Sequence, residues 1–163
     1  MTSYKQIVCV LSLMAIAACG KGKKDEGGGG KLDEASKFFL ESVQKDLDAV
    51  KQALAKGEDP RYKCAGAGAY AEELTKKKIA EAETVVKELT KVCGYDVPLA
   101  ALEGATKKAE EARKAKPDAD PLSECYSAEH DLAVDELKKG GHEGDDKVKA
   151  LATRWDAACP PKK

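Results

Sequence analysis

The sequence predicts an all-α fold: a small, disulfide-stapled helical bundle built from two duplicated helix-hairpin units. Apolar residues recur every three or four positions through the body of the chain, and strand-like alternation of β-branched residues is absent there. Four cysteines of that body fall in two similarly spaced pairs. Alanine fills many apolar positions, so we expect a thin core in which the helices approach closely.

The first predicted helix is expected to be the longest, because its apolar stripe runs unbroken as far as Lys56-Gly57. A glycine directly after the last apolar turn is a favourable C-terminal stop. The stripe consists of Leu32, Ala35, Phe39, Val43, Leu47, Val50 and Leu54.

A second stripe predicts a helix that ends at Cys93-Gly94. Asp96 and Pro98 then predict the cap and first turn of a third helix, which Pro117 terminates. The second stripe consists of Ala82, Val85, Val86, Leu89 and Val92.

Two more helices are predicted on either side of the glycine-rich segment 140–144. Apolar residues before this segment mark one helix, and the last helix runs from Val148 to Ala158 before Pro160-Pro161. The earlier stripe consists of Leu122, Tyr126, Leu132, Ala133 and Leu137.

An internal repeat relates the two halves of this body. Asp59-Pro60, followed by Cys64, recurs 61 residues later as Asp120-Pro121, followed by Cys125. The second cysteine follows after 29 positions in one copy and 34 in the other, and the difference equals the five-residue insert 140–144. The pattern indicates a duplication, although two unrelated amphipathic segments could also agree in this way.

The repeat predicts two disulfides, Cys64–Cys93 and Cys125–Cys159. The glycine-rich insert lets the second pair meet across a helical hairpin. For the first pair a turn is required near Lys76 to Lys78, where no glycine or proline supports it. A continuous helix through Thr75 to Cys93 is therefore an alternative, and it would hold the first two cysteines roughly 35 to 40 Å apart. Zinc binding by the four cysteines is disfavoured, because no closely spaced C-x₂₋₄-C pair is present.

The N-terminal residues resemble a bacterial lipoprotein signal. Lys5 is followed by an apolar run from Ile7 to Ile16 that is too short to span a bilayer, and Ala17-Ala18 precede Cys19. The resemblance covers the first nineteen residues and rests on the lipobox Ile16-Ala17-Ala18-Cys19. An ordinary secretory signal with a chance cysteine, or a short membrane anchor, would be the alternatives.

The resemblance implies removal of residues 1–18 and covalent attachment of lipid to Cys19. Diacylglycerol would join the Cys19 sulfur, and a further acyl chain such as palmitate would join the new amine. Gly20 does not resemble the common inner-membrane retention signal. In a cell with two membranes we therefore expect an outer-membrane lipoprotein facing the periplasm or the exterior.

Residues 19–31 are predicted to form a tether between the lipidated Cys19 and the α-helical domain, residues 32–163. From Gly20 onward this segment has no apolar side chain, and it contains four consecutive glycines. Its root-mean-square reach would be roughly 20 Å and its extended limit about 40 Å. The domain would then stay close to the membrane.

The charge balance disfavours a nucleic-acid partner. Residues 1–18 contain one lysine, so the chain without them carries 27 basic and 29 acidic side chains. A nucleic-acid-binding domain would present a clearly basic face.

Two histidine-containing segments are weak candidates for chemistry. His130 beside Asp131 could form an acid–base pair, although a solvated histidine is the favoured interpretation. His142, Glu143, Asp145 and Asp146 could offer ligands to a metal ion. They match neither H-E-x-x-H nor an EF-hand loop, so we expect a polar turn whose aspartates favour the next helix N-terminus.

Two further segments are interpreted as structural. The run Ala65-Gly66-Ala67-Gly68-Ala69 is expected to let two helices pack closely, and Trp155 is expected in the core beside a disulfide.

The sequence thus predicts a membrane-anchored, non-catalytic binding or structural module of the bacterial envelope. Its expected partners are the lipid bilayer and an envelope protein, and the only expected cofactor is the lipid on Cys19. The alternative is an envelope enzyme, or a metal- or small-ligand-binding protein, with its site inside the bundle.

Overall fold

The computed structural model describes residues 32–119 and 122–160, and within them the regular elements are helical, with no strand. The all-α prediction is confirmed, and at 23 residues the first helix is the longest. The α-helices are α1 Glu34–Lys56, α2 Arg61–Lys76, α3 Glu83–Lys91, α4 Val97–Ala115, α5 Ala128–Lys139 and α6 Asp146–Ala158.

Helix α1 begins and ends where local side-chain chemistry satisfies its free backbone groups. The Asp33 carboxylate accepts a hydrogen bond from the Ser36 N–H at 2.7 Å. Gly57 closes the helix at φ 73°, a left-handed conformation, and its N–H donates to carbonyl oxygens of the last turn. Between these ends, α1 buries Val43 and Leu47 against its neighbours, chiefly α2.

The first hairpin turns at the place the repeat requires, so the continuous-helix alternative is wrong. Helix α2 ends at Lys76, Lys78 adopts a left-handed φ of 54°, and a 3-10 turn at Ala80–Ala82 leads into α3. Ile79, which directly follows Lys78 and is only 4% exposed, lies in the core. The burial of Ile79 offsets the free-energy cost of the left-handed conformation at Lys78. The local sequence gives no sign of this conformation.

Helix α3 does not stop at Cys93-Gly94, so that prediction is wrong. A π-helical segment, Val92–Asp96, joins α3 directly to α4, and the Val97 N–H donates to the Val92 carbonyl. The wider turn accommodates Pro98, which has no N–H to give to the helix. Asp96 accordingly has helical dihedral angles and makes no capping hydrogen bond through its side chain. The end of α4 is as predicted, one residue before Lys116-Pro117.

In the second half, α5 and α6 both pack on α4. A 3-10 turn at Ser123–Tyr126 precedes α5, and the Ser127 hydroxyl accepts the His130 N–H at 3.2 Å. This break changes the helical phase, so two residues of the predicted stripe are exposed: Tyr126 at 61% and Leu132 at 47%. The Asp120-Pro121 pair, expected to begin this helix, lies outside the described residues.

Both predicted disulfides are present. Cys64 and Cys93 have their Cα atoms 5.6 Å apart, and the Cα atoms of Cys125 and Cys159 are 5.5 Å apart. Each bridge joins the open ends of one hairpin, so the molecule contains the two duplicated, disulfide-stapled hairpins that the repeat predicts.

The repeat also extends to the long helix before each hairpin. Three buried residues of α1 have buried counterparts 59 positions later in α4, which makes each unit a three-helix assembly. The corresponding pairs are Val43 and Leu102, Leu47 and Thr106, and Val50 and Ala109.

Small residues make the contact between α1 and α2, but the glycines are not the cause. The buried residues of α2 are Ala67, Ala71 and Leu74, of which the two alanines are small. A Cβ atom added at Gly66 would meet only Asp46 Oδ2, at 3.9 Å, and one at Gly68 would face open space. The expectation that this glycine-containing run permits close packing is therefore correct for Ala67 alone.

Candidate functional site

The residues that carry the strongest functional prediction, Cys19 and segment 19–31, lie outside the described residues. None of the helices described in 32–119 and 122–160 is long and apolar enough to cross a membrane. The other candidate residues can each be located.

The four weak metal candidates do not converge. Among the described residues, no group of three or more histidine, cysteine, aspartate or glutamate side chains is placed to hold a metal ion. Asp145 instead caps α6 by accepting the Lys147 N–H at 2.9 Å, and Asp146 lies in the first turn of that helix. The His142 ring lies against Tyr95, with 4.7 Å between ring centroids. The segment is the polar turn that the sequence predicts.

Hydrogen bonding across this turn shifts two pKa values. The pKa of Tyr95 is raised by desolvation and by its hydrogen bond to Asp145. The pKa of Asp145 is lowered, because hydrogen bonds from the Lys147 N–H and the Tyr95 hydroxyl outweigh the opposing effect of desolvation. The Asp145 carboxylate is thereby committed to its helix cap and to Tyr95.

His130 is not the solvated side chain that the sequence predicts. Its ring stacks on Trp155 with centroids 3.6 Å apart and planes 11° apart, and its side chain is only 12% exposed. Its Nδ1 atom lies 3.1 Å from Asp131 Oδ1. The prediction failed because Ser127 restarts the helix and turns His130 towards α6. Trp155 itself lies in the core beside Cys159, as expected.

Arg113 is a structural residue that sequence patterns did not reveal. Its guanidinium donates to three carbonyl oxygens: Ala158 at 2.8 Å, Ala119 at 2.7 Å and Pro117 at 3.2 Å. These bonds tie the end of α4 to the end of α6, next to the second disulfide. A lone arginine on a helix flank gives no sequence signal for such a role.

An ion-pair cluster joins the two halves of the molecule. Arg61 Nε lies 3.1 and 2.9 Å from the two carboxylate oxygens of Asp59. Glu129 Oε1 lies 3.7 Å from Arg61 Nη2, and Glu129 Oε2 lies 3.3 Å from Lys108 Nζ. The hydrogen bond to Asp59 raises the pKa of Arg61. Both cations of the cluster face carboxylates, so it presents no excess positive charge to an anion.

Two concave surfaces flank these features. A pocket of about 320 Å³ lies beside the ion-pair cluster, between the end of α1 and α4. An open groove of about 740 Å³ runs between α2 and α3 next to the first disulfide. The groove lining includes Gly68, Ala71, Val86, Leu89 and Thr90.

The end of the domain that receives residues 19–31 carries an aromatic cluster. The Phe39 and Tyr70 rings stack with centroids 5.4 Å apart, and Phe38 meets both rings edge-on at 6.0 and 6.1 Å. Phe38 is nevertheless 58% exposed. We call this region the tether-proximal end; it comprises Leu32, Asp33, Lys37, Phe38, Phe39, Tyr70 and Lys76 to Lys78.

The lysine-rich turn closes the same end. Lys77 Nζ lies 3.3 Å from Asp33 Oδ2 and 5.7 Å from the centroid of the Phe39 ring. Hydrogen bonding from Ser36, together with Lys77, lowers the pKa of Asp33 to about 2. Lys77 therefore lies beside Asp33, the second described residue of the chain, and Phe38 and Phe39 lie in the second turn of α1.

Comparison with known proteins provides no relative: no family model, no curated protein and no solved structure matches this chain. The surfaces described above are accordingly interpreted from their own chemistry and from the N-terminal sequence.

Proposed function

We propose that the protein is a bacterial lipoprotein, anchored in the membrane through Cys19, that acts as a non-catalytic binding or structural module of the cell envelope. The observation that carries this proposal is the lipobox Ile16-Ala17-Ala18-Cys19 at the end of a short apolar run. Two or more acyl chains on one cysteine would give stable anchoring without a membrane-spanning helix.

The folded domain is consistent with an exported location. Its two disulfides need an oxidising compartment to form and persist. The two clusters in its second half contain four buried residues each, so the Cys125–Cys159 bridge contributes a large share of the stability there. A helical domain with two covalent bridges suits presentation of helix surfaces to a partner.

The predicted tether would join the folded domain directly at the start of α1. Leu32 packs against the first core cluster, and Asp33 caps α1 directly afterwards. A force or constraint from the membrane anchor would therefore reach the longest helix without an intervening loop. The expected partner is an envelope protein, and cross-linking the intact anchored protein in its own envelope would identify it.

The anchor is tested by comparing Cys19→Ala with Cys9→Ala. Cys9 lies within the apolar run and outside the lipobox, so it is a matched control. Metabolic labelling with a fatty-acid analogue should tag the parent and Cys9→Ala, and Cys19→Ala should lose both the tag and membrane retention.

If Cys19→Ala stays as membrane-bound as the parent, the lipoprotein proposal is wrong. Density-gradient fractionation tests the location separately. In a two-membrane cell, recovery in the inner membrane would contradict the proposed outer-membrane location without affecting the anchor.

A further inference from the structure

We propose that the tether-proximal end rests on the bilayer that holds the Cys19 lipid, with the Phe38 ring in the headgroup region. This inference deepens the proposed function and rests on it. It assigns an orientation in which the domain stands end-on at the membrane and directs its opposite end away from it.

The first argument is that the Phe38 side chain is exposed although two aromatic rings lie next to it. Phe39 and Tyr70 stack on each other and pack against the first core cluster. Phe38 meets them only with its edge and leaves more than half of its surface in solvent. An aromatic ring held rigidly by two other rings, with an exposed outer face, suits insertion at a membrane interface.

The second argument is the length of chain between the anchor and the fold. Thirteen residues, Cys19 to Lys31, separate the lipid from Leu32, and their covalent length is at most about 45 Å. Helix α1 contains 23 residues and is thus about 34 Å long. Measured along the chain, the end of α1 that bears Phe38 is therefore about 34 Å nearer to the anchor than the opposite end.

The third argument is the charge around Phe38. Lys76 lies 2.9 Å from Glu72, and Lys77 is paired with Asp33, so these two cations are neutralised locally. Lys37 and Lys78 are exposed and have no ion pair with any described residue. They add a modest attraction to anionic headgroups, and the apolar ring remains the principal contact.

The occupant we assign is thus a lipid surface containing anionic headgroups. A protein partner at this end would have to compete with a bilayer that the covalent anchor holds within tens of ångströms. The opposite end provides a matched comparison, because it bears an even more exposed aromatic residue, Tyr62, at 72%. Tyr62 lies in the first turn of α2, beside the C-terminal end of α1.

The experiment uses the full mature lipidated protein in vesicles of phosphatidylethanolamine and phosphatidylglycerol. Phe38→Trp and Tyr62→Trp are compared, with the parent supplying the background from Trp155, its single tryptophan. Lipids brominated near the headgroup end of the acyl chain quench tryptophan that enters the interface. We expect Phe38→Trp to lose roughly half of its added emission and shift to the blue, as for a side chain in the headgroup–acyl boundary. Tyr62→Trp should remain unquenched.

Each other outcome contradicts a definite statement. Equal quenching at both positions would mean that the domain lies flat, and quenching at neither would mean that neither ring enters the headgroup region. In both cases the end-on proposal fails while vesicle retention keeps the anchor intact. If the Cys19 sulfur is unmodified and the protein does not remain with vesicles, the proposed function itself fails.

Quenching at position 38 that persists when both lysines are replaced, Lys37→Gln with Lys78→Gln, would confirm that the ring is the main contact. Complete loss of quenching in that variant would contradict this assignment.

Discussion

Removal of the Cys125–Cys159 bridge should cost the domain a large part of its stability. The bridge joins residues 34 positions apart. On the chain-entropy model, a loop of that length gives a loss of about 3.8 kcal/mol from the free energy of unfolding. Stabilities of single domains lie between about 5 and 15 kcal/mol, so one bridge is a substantial fraction of the total. For a domain of about 130 residues the corresponding fall in Tm is roughly 10 to 15 °C.

The loss of stability should also be local, with α6 affected most. Helices α5 and α6 pack mainly on α4, and the clusters there contain few buried residues, including Leu102, Leu137 and Trp155. Without the bridge, α6 is held by these contacts, by the stacking of Trp155 on His130, and by polar contacts of Arg113 and Arg154 with Ala158 and Glu110. Amide hydrogen exchange should therefore show loss of protection in α6 before α1.

The assay is thermal and urea unfolding of the double variant Cys125→Ala, Cys159→Ala, followed by circular dichroism. The matched comparison is Cys64→Ala, Cys93→Ala, whose bridge spans 29 positions and should cost about 3.6 kcal/mol. That variant should keep protection in α6. A Tm within a few degrees of the parent, after mass spectrometry has verified the substitutions, would refute the view that these bridges compensate for a thin core.

Three further predictions concern turns and caps. Lys78→Gly should stabilise the domain by about 0.5 kcal/mol, because glycine has no Cβ atom to oppose the left-handed φ at this position. Gly57→Ala should destabilise the domain by about 1 kcal/mol for the converse reason. Urea unfolding measures both changes, and stabilisation by Gly57→Ala would contradict the left-handed conformation at residue 57. Nuclear magnetic resonance titration should give Asp33 a pKa of about 2, and its stabilising contribution, present above the ordinary pKa of 3.8, should be lost as pH falls towards 2. Ser36→Ala removes the Ser36 hydroxyl and keeps the capping N–H, so it should raise that pKa only in part, and an unchanged value would exclude the hydroxyl hydrogen bond as a cause. Asp145→Ala should lower the free energy of unfolding by about 1 kcal/mol through loss of the α6 cap. Calorimetry of the parent with divalent ions should detect no tight site. A micromolar site that is lost in Asp145→Ala would restore the metal interpretation.

Helix boundaries were predictable where one residue's own chemistry decides them. Gly57 and Pro117 end their helices as expected, and Asp145 caps α6 as its position suggests. Gly94 failed as a stop because a π-turn, closed by the Val97 N–H, carries the chain into α4. The π-turn depends on how two helices pack, and the local amino-acid composition does not predict it.

The turn at Lys78 illustrates the opposite case, in which a long-range pattern succeeded where local signals failed. The cysteine repeat required a hairpin, although no glycine or proline was present to form it. The turn forms because Ile79 becomes buried in the core, and this burial depends on residues far away in sequence. The disulfide pairing was predictable for the same reason, since it follows from the repeat.

The candidate surfaces were less predictable than the fold. His130 was expected in solvent, but its stacking on Trp155 depends on how α5 and α6 meet on α4. The tether-proximal cluster was missed because Phe38 lies outside the apolar stripe that predicts the first helix. A usable signal was present: Phe38 is a large apolar residue directly beside a core position and off the buried face of α1.

The most direct test of the central claim is the intact mass of the protein extracted from membranes of its own host. We expect a chain that begins at Cys19, with diacylglycerol on its sulfur and an acyl chain on its amine, and with all four domain cysteines in disulfides. A chain that retains residues 1–18, begins elsewhere, or carries an unmodified Cys19 would contradict the anchored-lipoprotein account.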